Sequence, residues 1–113
     1  MSEVDPCART ITWGERTYNL NLNHPWVRRV LSYRGINGKP AASLLLGFET
    51  GAYSIDDIER LLELGLIGTG VPERDADKLL DQHVRGGPIA ANAAAAAGLL
   101  MALYVGKPDG ARS

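Results

Sequence analysis

Arg9-Thr-Ile-Thr-Trp13 and Arg16-Thr-Tyr-Asn-Leu-Asn-Leu22, separated by Gly14-Glu15, each alternate apolar with polar residues. Alternation with a period of two marks strands, and a two-residue connection with glycine first marks a β-hairpin, because glycine accepts the positive φ that the turn demands. If Gly14 and Glu15 are the two turn residues, Trp13 opposes Arg16 and Ile11 opposes Tyr18. Ile11, Trp13, Tyr18, Leu20 and Leu22 then share one face, so register and apolar pattern agree. Two strands alone are marginal in water, and this face must find helices to pack on.

After residue 22 the period becomes helical, with proline and glycine as boundaries. Asn23 or His24 can cap a first helix that begins at Pro25, carries Trp26, Val27, Val30 and Leu31, and stops near Gly35. Pro40 starts a second, with Leu44, Leu45 and Phe48, that ends by Gly51. Ser54 caps a third, where Asp56 and Asp57 meet the positive end of the helix dipole. Its stripe of Ile55, Ile58, Leu61, Leu62 and Leu66 predicts a buried face, and the glycines at 65, 68 and 70 predict an interruption. Pro72 opens a fourth helix with Ala76, Leu79, Leu80 and Val84, and Gly86-Gly87 closes it. Pro88 opens the last, whose alanine-rich run from Ala90 to Ala97 and following Leu99, Leu100, Leu103 and Tyr104 suggest a central core helix. The expected architecture is α+β and mainly helical: an N-terminal antiparallel hairpin packed on a bundle of about five short helices.

A length of 113 residues suits a single domain, with an ordered core over about 8–105 and tails at Met1 to Asp5 and beyond Gly106. The net charge of -1 gives no general attraction to phosphates. Arg28, Arg29, Arg34 and Lys39 form the one basic concentration, and a DNA-binding regulator using residues 28–39 is the alternative it offers. Asp56, Asp57, Glu59 and Glu63 follow closely enough to pair with those charges, so nucleic acid is not the expected partner. Cys7 is the single cysteine, which excludes an intramolecular disulfide and suits a reducing cytosol. The start of the chain lacks the basic and apolar segments of a secretory signal. Ile89 to Val105 is short and mostly alanine for a membrane span.

Chemistry has no anchor in the spacing of residues. Gly65-x-x-Gly68-x-Gly70 follows a helix and precedes Val71-Pro72, not the Lys-Ser/Thr of a phosphate loop. His24 and His83 sit on separate elements without metal-ligand spacing. Neither Ser43 nor Ser54 lies in a nucleophile elbow. No catalytic, metal or cofactor site is expected, and the chain reads as a protein-binding module. Trp26, Tyr33 and Phe48 are its candidate anchors, since large aromatics dominate interface energetics.

The segment Tyr53-Ser-Ile-Asp-Asp-Ile-Glu-Arg-Leu-Leu-Glu-Leu-Gly-Leu-Ile-Gly-Thr-Gly70, then Leu79-Leu80, Gly86-Gly87-Pro88 and the alanine-rich helix, resembles a known family. It is similar to the small tail protein of gene transfer agents and related phages, labelled tail tube protein or tail-assembly chaperone. The resemblance spans roughly 8–105, and residues 23–50, with His24-Pro25-Trp26, depart from the family's short alanine-rich pattern. It implies virion morphogenesis in a bacterium, from a prophage or domesticated phage, with no catalytic residues and no cofactor. Of the two labels, a tube wall requires extensive sheet, and one hairpin with five helices fits a chaperone better. The partner expected from that reading is the helical tape-measure protein, in the cytoplasm or at the virion tail. Tail tube or tail-completion subunit is the alternative, and it would entail homo-oligomers.

Overall fold

The computed structural model describes residues 7–105 apart from 14, 34 and 37. Strands β1 (Ala8–Trp13) and β2 (Arg16–Asn21) form an antiparallel pair, followed by α1 (Pro25–Tyr33), α2 (Ala41–Thr50), α3 (Ile55–Gly68), α4 (Glu73–His83) and α5 (Ile89–Val105). Trp13 pairs with Arg16 and Ile11 with Tyr18, the register that the alternation requires. Trp13, Leu20 and Leu22 are buried, and Ile11 and Tyr18 pack against the same core. The turn conformation expected of Gly14 and the expected tails up to Asp5 and beyond Gly106 lie outside the described residues.

Local chemistry accounts for the helix boundaries. His24 starts α1: its carbonyl accepts from the Arg28 N–H at 2.8 Å and its Nδ1 from the Trp26 N–H at 3.1 Å. Pro40 flanks α2, whose first residue is Ala41. Gly51, at φ 83°, takes the left-handed conformation that ends α2. Ser54 caps α3 as part of a reciprocal box, with its hydroxyl accepting from the Asp57 N–H at 3.1 Å and Asp57 Oδ2 accepting from the Ser54 N–H at 3.0 Å. Asp57 Oδ2 also accepts from Lys39 Nζ at 2.9 Å, so this fully buried carboxylate ties the segment before α2 to the start of α3.

Three expectations change. The glycines at 65 and 68 do not break α3, which runs to Gly68. They are contact points: a Cβ on Gly65 would lie 2.6 Å from Leu99 Cδ2 and 3.0 Å from Leu20 Cβ, and one on Gly68 would overlap the Asn21 carbonyl oxygen. Burial of the surrounding helix offsets their low propensity of about 1 kcal/mol each. Second, α5 shares the centre with α3: α3 touches β2, α5, α4 and α1, and α5 touches α3, α2, β1 and β2. Third, Ile55 is 52% exposed and leaves the apolar stripe, which instead gains Leu64.

Gly86-Gly87-Pro88 does separate α4 from α5, and Gly86 carries the positive φ, at 84°. A Cβ there would meet no atom within 4 Å, so alanine pays only for the left-handed backbone. Gly86→Ala should destabilise by about 1 kcal/mol. Urea unfolding of that variant beside the wild type measures it as a lower midpoint at unchanged slope. Equal midpoints would show that the boundary tolerates another conformation.

Candidate protein-binding surface

α5 has no polar face, and a helix that is apolar all round asks for cover on every side. Asn92, Ala93, Ala96, Leu99, Leu100 and Ala102 are buried. The opposite side is open: Tyr104 and Val105 are each 51% exposed, with Ile89 and Met101 also exposed. Near the C-terminal end of α5, Leu103 and Tyr104 face Arg28, Leu31 and Ser32 of α1 and Pro40, Ala41 and Ala42 at the start of α2. Together they line an open groove of about 520 Å³. Apolar Leu31, Leu103, Tyr104 and the small Ala41 and Ala42 line it together with Arg28 and Ser32, a mixed composition that suits a partly apolar segment.

The expected anchors do not converge there. Trp26 is 42% exposed on α1. Phe48 is half-buried and stacks on Tyr53, with ring centroids 5.0 Å apart, so it contributes to the packing of α2. The backbone of Tyr33 ends α1, and its side chain lies outside the described residues. Leu103 and Tyr104 are the groove residues that sequence reasoning assigned to the core. The one available signal was that residues 101, 104 and 105 continue a helical face already begun by Ala90, Ala94 and Ala97.

Two members of the basic concentration are committed to structure. Lys39 holds Asp57, as expected for one of the following acids. Arg28 Nε donates to Asn23 Oδ1 at 2.6 Å instead of pairing with an acid. Arg34 lies outside the described residues. A second charged cluster joins α3, α4 and the turn after α4: Arg85 reaches Asp77 at 3.0 Å, Glu59 at 3.2 Å and Asp81 at 3.6 Å. Hydrogen bonding to Asp77, helped by Glu59 and opposed by desolvation, holds the Arg85 guanidinium pKa above its ordinary value. This is an ion-pair network that braces two helices. His83 stacks on Trp13 with centroids 5.3 Å apart, which gives that imidazole a packing role. Among the described residues no group of three or more His, Cys, Asp or Glu could hold a metal ion. No helix there is long and apolar enough to cross a membrane.

No curated protein and no solved structure matches the chain. A family model described as phage tail tube protein, GTA-gp10, matches residues 7–106, from just before β1 to just after α5. The match takes in the hairpin, all five helices and the Gly86-Gly87 boundary. The chain therefore belongs to the family of phage tail tube proteins of the gene transfer agent type.

Proposed function

We propose that this protein is a tail-assembly chaperone, a non-enzymatic single domain working in the bacterial cytoplasm. It would hold an amphipathic helical segment of the tape-measure protein until the tail polymerises around it. The observation that carries the reading is the groove at the C-terminal end of α5, where Leu103 and the half-exposed Tyr104 stand open beside α1 and α2. A long helical protein exposes apolar stripes before assembly, and shielding them in a groove with an apolar side prevents aggregation. Trp26, exposed on α1 outside the groove, is a secondary contact in this reading, while Phe48 serves packing.

Co-expression with a tape-measure fragment, followed by size-exclusion chromatography, tests it. The wild-type protein should co-elute with the fragment, and Tyr104→Asp should raise the Kd at least about tenfold, a loss of ~1.4 kcal/mol. Tyr104 lies at the end of a helix and is half exposed, so the variant should keep its thermal midpoint. A fragment equally soluble alone and never co-eluting would end the chaperone reading. The second reading, a structural tube subunit, is favoured by the family's own description. Under it, the pure protein would form rings in solution without any tape-measure fragment.

A further inference from the structure

We propose that the outer edge of β1 is a docking site for an extended segment of another polypeptide, which adds as a third strand over the small-residue face of α5. A two-residue turn makes Trp13 and Arg16 the closing hydrogen-bonded pair, and Ile11–Tyr18 and Arg9–Leu20 follow by alternation. The backbone N–H and C=O of Thr10 and Thr12 therefore point away from β2. The same alternation turns the Asn19 carbonyl outward on β2, and that carbonyl accepts from Thr69 Oγ1 at 3.0 Å. The β2 edge is thus covered by the end of α3. On the β1 edge no hydrogen bond reaches the backbone of Thr10 or Thr12 from the described residues.

Exposed edges in soluble proteins are blunted by charge, proline or a bulge. Between Thr10 and Thr12 β1 has none of these, its one charge being Arg9 just before that stretch, and its pairing runs without a bulge. Beside this edge lie two cavities that share Ile11 and Ala95. One, of about 190 Å³, is also lined by Arg9, Thr10, Ala94 and Gly98, with Leu20, Leu62 and Leu99. The other, of about 330 Å³, is lined by Thr12, Trp13, Ala91 and Asn92. Trp13 adds a buried indole Nε1–H with no acceptor among the described residues. Unpaired backbone groups beside cavities in which Ala91, Ala94, Ala95 and Gly98 leave room fit a strand whose inward side chains are small and apolar, of valine or alanine size.

A second copy of this chain fits less well. Its β1 would come within about 4.8 Å of this one. It would bring its own α5 under the same edge, where helices need about 8 to 10 Å between axes. The occupant is a bare extended segment.

The test uses the full chain, labelled with 15N, and an acetylated, amidated Ser-Val-Thr-Val-Ser peptide as the probe. A control peptide carries N-methyl groups on its central amides. At ten times its Kd the probe should slow hydrogen exchange of the Thr10 and Thr12 amides about tenfold, with shifts at Ala94 and Gly98. The N-methylated peptide should leave exchange unchanged. Thr10→Pro removes only an outward N–H, and Ala94→Glu lies on the exposed face of α5, so both should fold and both should weaken the probe at least tenfold. Three results overturn the proposal: no slowing at millimolar probe, equal binding of the N-methylated peptide, or amides already slowed in the free protein. Dilution, or deletion of residues 1–6, would trace the last to a second copy or to the chain's own start. The Tyr104→Asp variant keeps this edge intact, so the tape-measure reading and this proposal fail separately.

Discussion

Replacing Trp13 with alanine should cost about 3 to 5 kcal/mol, the largest loss expected from a single substitution in the hairpin. Trp13 is 7% exposed, contacts Tyr18 at a centroid distance of 5.3 Å and stacks on His83 of α4. The indole thus joins the end of the hairpin to the end of α4, and its loss opens a cavity between elements that have few other ties. At this chain length about 4 °C of midpoint accompanies each kcal/mol, so the variant should melt roughly 12 to 20 °C lower. Trp13→Phe makes the argument sharper. The indole N–H has no partner among the described residues, so phenylalanine gives up ring volume but no hydrogen bond, and it should recover more than half of the loss. Calorimetry of the two variants separates the contributions. A phenylalanine variant as unstable as the alanine one would show that the N–H is bonded in solution.

Gly68→Ala should destabilise by about 2 kcal/mol, although alanine is the better helix former. The propensity gain is at most ~1 kcal/mol and shrinks at a helix end. Against it stands the overlap of the new Cβ with the Asn21 carbonyl oxygen. That oxygen is backbone of β2 and cannot rotate away as a side chain would, so α3 and the hairpin must separate, an overpacking cost of about 3 kcal/mol. The separation would also pull Thr69 Oγ1 from the Asn19 carbonyl, 3.0 Å away. Gly65→Ala meets mainly the Leu99 methyl and Leu20 side-chain carbons, which can move, and should cost less. Urea titration of both variants gives the order. A stabilised Gly68→Ala would mean that the hairpin yields freely and that the close approach is unimportant.

The hairpin register, the starts of the helices and the glycine stop at Gly86 were all legible in the amino-acid order, because each is a local matter. Alternation over six residues on either side of a two-residue turn leaves one register that buries a face. Proline before a helix, serine at its cap and glycine after its end act on neighbouring backbone groups within a turn or two. Even Ser54 was recognisable as a cap, and Asp57 as a charge near the helix dipole and a possible partner for the basic residues before it, though its reciprocal bond to Ser54 and its burial under Lys39, 18 positions away, were not. Tertiary structure decided the rest. Gly65 and Gly68 looked like breaks because propensity counts glycine the same way everywhere. The folded chain uses their missing Cβ atoms to bring β2 against α3, and the burial gained there exceeds the local cost. α5 is the converse. An amphipathic helix announces its buried side by its polar one, but α5 is apolar nearly throughout and its polar residue, Asn92, is itself buried. Which side it buries, and therefore that Tyr104 opens onto a groove and Ala94 onto a strand edge, followed only from how α5 packs on α3, α2 and the hairpin.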